Sequence, residues 1–368
     1  MNVYVWRHVS ECNFEKFAVI DYCISVIWVR RAREAGEFEL YLPASRELLE
    51  LFTADEFLLV TKEDDEETAM KVESAQLTVS PEEGNHLIVK GRSAECIIGQ
   101  RIILYQTNFG TKTADSVIYS LIDQNAMHPI KSSPTLKEMR KIPELSIGTW
   151  LLDDVPEITA QFDGENLLET TSDICVSSGL CFKVVFTGTG FSFQLYKGLD
   201  RTVSQTENTP VIFSPDYDNI GTTDFLYDTS TYYNLIQEGG EGEGSEKKHV
   251  TVIESNEIKG LYLREKYIQA ENVSSNTEDG QMSSTEYLQI LKRRAEDNLR
   301  KAAITKEFSG EVLNTDMYLF GVDYGLGDKV TVINEYGIQG TAIVTEVTEV
   351  EDAEGYRLIP TFSDWKVS

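Results

Sequence analysis

The sequence is short of bases: 33 Lys and Arg stand against 61 Asp and Glu, a formal charge of −28 over 368 residues. Phosphate recognition needs clustered cations, so this deficit argues against specific nucleic-acid binding. A surface this acidic stays soluble and repels phosphate. Long apolar runs are missing too. The longest, Cys23–Val29, has the length of a strand and falls far short of a membrane span. The first residues, MNVYVWRHVSECNFEKF, carry charge throughout and give no signal-peptide pattern. Cysteines are few, scattered and odd in number: Cys12, Cys23, Cys96, Cys175 and Cys181. That excludes a disulfide framework and points to reduced core residues made in a cytoplasm. The histidines, His8, His86, His128 and His249, stand in no ligand spacing, and no GxSxG occurs. No catalytic, metal-binding or cofactor-binding residue is therefore expected, and no cofactor.

What is present is β-rich. Hydrophobic residues make up 41% of the chain, enough for two or three domains with real cores. CISVIWVR (Cys23–Arg30) reads as a strand. GEFELYLP (Gly36–Pro43) alternates Phe38, Leu40 and Leu42 against Glu37, Glu39 and Tyr41. RELLELF (Arg46–Phe52) is a short helix, and three more strand-like runs follow before residue 106.

The pattern then changes. TKTADSVIYSLIDQNA (Thr111–Ala126) predicts a helix capped by Thr113, with an apolar stripe at Val117, Ile118, Leu121 and Ile122. DGENLLETTSDICVSSG (Asp163–Gly179) predicts a second helix ending on Gly179. CFKVVF-TGTG-FSFQLY (Cys181–Tyr196) is a hairpin. From Gly198 onward the text is β again. It is interrupted by EGGEGEGSEKK (Glu238–Lys248) and by a helix from about Ser283 to Lys306. Ser283 and Glu286 have capping-box spacing there, and Leu288, Leu291, Ala295, Leu299 and Ala302 form a stripe.

Four stretches look like sites. In VIFSPDYDNI (Val211–Ile220), Asp216, Asp218 and Gly221 fit positions one, three and six of a calcium loop. Ile220 and Tyr227 break the pattern at positions five and twelve. A Pro/Asx turn is the better reading, with the aspartates bonding their own backbone. Glu63–Glu67 (EDDEE) could hold a cation, but such a run is ordinarily a solvated loop. The glycines at Gly188–Gly190 and Gly239–Gly244 lack the strand-to-helix context of a phosphate loop. The first is read as a hairpin turn and the second as a flexible connection. GLGDKV (Gly325–Val330) is read as a tight turn capped by Asp328.

Taken as a set, four phrases resemble the phage tail-hub family. They are GEFELYLPAS, YKGLDRTVSQTENTPVIFSPDYDNI, EGGEGEGSEKK and YGLGDKVTVINEYGIQGTAIVTEVTEVEDAEGYRLIPTFSD. The family comprises baseplate hub proteins and the N-terminal hub part of siphophage tail-tip proteins, and occurs also in phage-tail-like bacteriocins. The resemblance implies an α+β, mainly β chain with two related antiparallel β-barrels and inserted modules, assembling as a trimeric ring. On that plan residues 1–106 form the first barrel and 107–197 an α/β module. Residues 198–250 and 308–368 form the second barrel, with 251–307 an inserted helical module. The implied role is structural: a homotrimer adapting a sixfold tail tube to a threefold spike or tip. The implied partners are a tail tube or distal tail protein, a spike or tip protein and a tape measure protein. DNA would pass through the lumen, and the particle would assemble in the host bacterial cytoplasm; no membrane partner is implied. Alternatives are a tail-associated peptidoglycan hydrolase or a carbohydrate-binding receptor protein. The sequence gives no positive sign of catalysis, and no further domain is expected after the last strands.

Overall fold

The computed structural model describes residues 2–80, 84–148, 152–221, 223–277, 280–313 and 317–367. The first lobe is built from β1 (Val3–Ser10), β2 (Asn13–Ile20), β3 (Ser25–Arg31), β4 (Glu37–Pro43), β5 (Leu58–Lys62), β6 (Asp65–Ser80) and β7 (Gly84–Ser93). Helix α1 (Arg46–Phe52) sits between β4 and β5, started by the Ser45 hydroxyl accepting from Leu48 N at 3.1 Å. The alternation expected in β4 is present: Phe38, Leu40 and Leu42 point inward. They meet Trp28, Met70, Leu87 and Val89 in a core of large, fully buried side chains. Each such burial contributes about 1.5–3 kcal/mol.

The second lobe uses strands Ile212–Phe213, Thr223–Asp228, Thr305–Gly310, Lys329–Ile333, Gln339–Asp352 and Gly355–Val367. Its core holds Phe213, Phe308, Val332, Phe362 and Trp365. Both lobes belong to one 13-stranded sheet, joined where β3 pairs antiparallel with the Gln339–Asp352 strand. The chain is thus mainly β with few helices. The expected barrels do not close: among the described residues neither lobe's ladder returns on itself. The edge of β3 that could complete the first barrel is taken by the other lobe instead. Edge pairing removes unsatisfied backbone groups as well between lobes as within one.

The lobes repeat one strand order. The first runs β3-β4-β7-β6-β5. The second runs Thr223–Asp228, Thr305–Gly310, Gly355–Val367, Gln339–Asp352, Lys329–Ile333. Both long hairpins carry a bulge at the same place, between Val72 and Ser74 and between Val344 and Glu346. Both turn back into a glycine of positive φ, Gly84 at 83° and Gly355 at 115°. Counted from the bulges, Phe38 and Phe308 occupy the same position, each buried.

Between the lobes lies a third unit. Strands Thr107–Thr113 and Glu157–Phe162 form one small sheet, and Leu145–Ile147, Cys181–Phe186 and Phe191–Tyr196 another. Helices Ala114–Ile122 and Leu167–Ser178 pack on them through Val117, Ile118, Leu121 and Ile174. The first helix starts later than the sequence predicts, because residues up to Thr113 belong to a strand. Thr113 bonds the Ser116 hydroxyl (2.9 Å) and caps no backbone N–H. Gly179 does take the left-handed C-cap, at φ 70°. A fourth unit interrupts the second lobe. Strands Leu235–Gly239, His249–Ile253 and Glu265–Gln269 carry the helix Ser284–Lys301, capped by Ser283 on Glu286 N at 3.2 Å. The boundary drawn between 250 and 251 falls inside one of these strands. Among the described residues, no helix is long and apolar enough to cross a membrane.

Candidate functional site

The join between the lobes is where charge concentrates. Strand β3 reads SVIWVRR, and its inward face continues from Val26 and Trp28 to Arg30. Opposite it, Glu349 stands in register with Trp28 and is only 4% exposed. A carboxylate so buried requires partners, and it has three. Its oxygens accept from the Arg30 guanidinium, from Lys62 Nζ at 2.6 Å and from the Tyr356 hydroxyl at 3.2 Å. Arg30 also donates to Asp65 at 3.1 Å and lies 4.7 Å from the Phe320 ring centre. Lys62 is itself buried. Burial pushes the Glu349 carboxyl up, but the charges and hydrogen bonds of Arg30 and Lys62 outweigh it and hold the group below its ordinary value. Burial pushes the Tyr324 and Tyr356 hydroxyls up, so both keep their protons.

Around this cluster the units are tied together. Arg31 bridges Glu346 (2.6 Å) and Glu37 (2.9 Å). Arg33 donates to the Leu180 carbonyl at 2.9 Å, and Phe182 N to the Ala32 carbonyl at 3.1 Å, anchoring the α/β unit to β3. Asp328 does more than the turn-capping expected of it. Its carboxylate accepts from Gly325 N (2.9 Å), Leu199 N (2.7 Å) and Arg201 Nε (2.9 Å). The Gly327 backbone beside it approaches Gly198 so closely that a side chain at 198 would collide with the Gly327 carbonyl. A cleft of about 1070 Å³ opens where the lobes and the α/β unit meet, lined by Arg30, Lys62, Asp65, Glu95, Glu349 and Tyr356 among others. Its charges are mixed in sign, and Arg30, Lys62, Asp65 and Glu349 pair with one another.

The stretches singled out in the sequence lie elsewhere or act differently. In VIFSPDYDNI the turn is held by Ser214 and Asn219. Ser214 Oγ accepts from Asp216 N (3.2 Å), and Asn219 accepts from Ser214 N (2.9 Å) while donating to the Ile212 carbonyl (2.7 Å). Asp218 contributes its left-handed backbone, φ 50°. Asn219, fully buried, is the residue the sequence reading missed. The run Glu63–Glu67 is not a free loop: Glu63 and Asp64 make the tight β5–β6 turn, and Asp65–Glu67 begin β6. Asp65 pairs with Arg30, Glu66 with Lys16 (2.9 Å), and Glu63 accepts from Asn2 and Tyr4 (both 2.9 Å). Gly188 turns the expected hairpin. Of the Gly239–Gly244 stretch the first half is packed, with Tyr267 lying across Gly239 and Glu241 accepting from Ser275 at 2.6 Å, while Gly242–Gly244 are exposed. Among the described residues, no three His, Cys, Asp or Glu side chains stand together to hold a metal. His8 meets Glu144 (2.9 Å) and His128 meets Asp123 (2.7 Å). Cys96, Cys175 and Cys181 are buried, as expected. Cys23 is half-buried and Cys12 is exposed in the β1–β2 turn, which corrects the core reading for Cys12. Burial raises the Cys96 thiol to about 12 and the Cys23 thiol to about 11.

The chain therefore has two lobes of one design joined edge to edge, with a third unit wedged against the join. The family model of the siphovirus ReqiPepy6 Gp37-like protein matches residues 2–363. This chain belongs to that family. Its fold is that of solved phage tail proteins. The tail protein from Neisseria meningitidis MC58 is 13% identical, with a TM-score of 0.57 over 98% of this chain and 96% of that one. The 43 kDa tail protein of prophage MuSo2 from Shewanella oneidensis is 11% identical, with a TM-score of 0.56 over 98% of both. Prophage tail protein gp18 from Listeria monocytogenes EGD-e is 13% identical, with a TM-score of 0.50 over 99% and 94%. No curated protein matches the sequence. The resemblance read from the sequence holds, and it holds over nearly the whole chain of this siphovirus family member.

Proposed function

We propose that this protein is a structural hub subunit of a phage tail, a homotrimeric ring between a sixfold tail tube and a threefold spike or tip. One observation carries the reading: a single chain presents the same strand order twice, joined through an edge. Three such chains offer six like lobes to a sixfold partner, while the inserted units occur only three times and suit a threefold one. The shared fold of solved tail proteins supports the same reading. The net charge of −28 suits a channel wall past which DNA or a tape measure protein slides, because acidic walls do not hold phosphate. The buried charges at the join serve positioning: they fix the angle between lobes on which ring closure depends. The test is mass in solution by light scattering, followed by negative-stain imaging. The expected result is a particle near three times 41.5 kDa with a central hole. A monomer at every concentration that cleaves cell wall or binds glycan would overturn the reading.

A further inference from the structure

Inside the chain the join uses two short stretches: Glu346–Glu351, just past the bulge of its strand, and Val26–Arg31 of β3. Each has a counterpart in the other lobe. The counterpart of Glu346–Glu351 is Ser74–Val79 of β6, which lies just past the matching bulge. The counterpart of β3 is Thr223–Asp228. It pairs with Thr305–Gly310 as β3 pairs with β4, and Phe225 stands opposite Phe308 as Trp28 stands opposite Phe38. Neither counterpart has a second neighbour among the described strands: Ser74–Val79 pairs with β7 alone, and Thr223–Asp228 with Thr305–Gly310 alone. Both present apolar side chains to solvent, Leu77 at 45%, Val79 at 68%, Phe225 at 44% and Tyr227 at 56% exposure. An apolar open edge invites another strand.

We infer that Ser74–Val79 of one copy pairs antiparallel with Thr223–Asp228 of the next copy, repeating between chains the join that Glu346–Glu351 and β3 make within one. The inference rests on the ring reading above and names the surfaces that close it. The internal register, with Glu349 opposite Trp28, places Leu77 opposite Phe225, Ala75 opposite Tyr227 and Val79 opposite Thr223. Asp224 and Asp228 then face Thr78 and Ser74, so no like charges meet. A slip of one residue sets Glu73 against Asp228, a repulsive pair, and turns the apolar positions to the wrong face. The contact is heterologous, head to tail, as a cyclic ring needs.

The full chain, with the exposed Cys12 and the half-buried Cys23 replaced by serine and carrying Leu77→Cys and Phe225→Cys together, tests this under mild oxidation, on a non-reducing gel. The expected result is covalently linked chains with the double variant and none with either single variant. A pair one position off, Leu77→Cys with Asp224→Cys, is expected to link far less. A ring by mass and imaging that gives no cross-link would overturn the proposed join and leave the ring standing. A monomer with no cross-link would overturn both. Leu77→Asp gives a second readout: an intact fold by circular dichroism with the ring lost is expected, and an unchanged ring would refute the proposal.

Discussion

At matching places in the two lobes the chain puts opposite chemistry. Glu349 and Leu77 follow the same bulge at the same distance, and Trp28 and Phe225 stand at the same place on their strands. In one pair the carboxylate is buried under Arg30, Lys62 and Tyr356. In the other both side chains are half exposed. On the proposed ring, the difference teaches what each edge is for. A join made once, during folding, can carry a buried charge cluster, because its partners are always at hand and a wrong register strands a charge. An edge that must wait for a second molecule cannot leave a charge stranded meanwhile. Apolar side chains tolerate waiting in water far better than an unpaired ion tolerates burial.

Breaking the charged side gives the largest effect. Glu349→Leu leaves the buried Lys62 without a counter-charge and Arg30 with Asp65 alone, and denaturant unfolding should show a loss of about 3–5 kcal/mol. The double variant with Lys62→Met should recover part of it; full additivity of the two losses would refute a shared cluster. Matched core truncations come next. Phe38→Ala and Phe308→Ala should each cost about 3–5 kcal/mol by thermal or chemical unfolding, and similarly, since they fill the same place in the two cores. A large gap between them would break the equivalence of the lobes.

Acid offers a milder probe. The folded Glu349 carboxyl lies below its ordinary value of 4.5, so its contribution is fully present above that pH and is lost as pH falls through the lower folded value. A stability–pH profile should drop there, and Glu349→Gln should flatten it. A drop unchanged in the variant would assign the acid loss to other carboxylates. The turn at Asn219 comes next: Asn219→Ala should cost about 1–3 kcal/mol by leaving the Ser214 N–H and the Ile212 carbonyl of a buried turn unpaired, with Asp216→Ala near neutral. The smallest effect on the isolated chain belongs to Leu77→Asp, expected within about 1 kcal/mol of the parent by the same unfolding measurement, because the side chain is already half in water.

Much of the fold was legible along the chain. The alternation of β4, the Ser283 cap, the left-handed Gly179 and the Gly188 hairpin all follow from contacts within a few residues, and local chemistry writes those directly. The site was legible hardly at all. Among 61 acids nothing marks Glu349 as the buried one, and Glu63–Glu67 reads as solvent-facing until Arg30, Lys16 and Tyr4 are seen beside it. Asn219 was hidden behind two aspartates with a more familiar pattern. By itself the sequence determined that this protein is a β-rich, acidic chain with no membrane-length apolar run, and where most strands turn. Only the tertiary structure decided that β3 gives its edge to a strand more than three hundred residues away, and that the two lobes follow one plan. Strand pairing is made by backbone groups that every residue carries, so the partner of an edge is chosen by the packed shape of the whole and leaves little trace in the residues themselves.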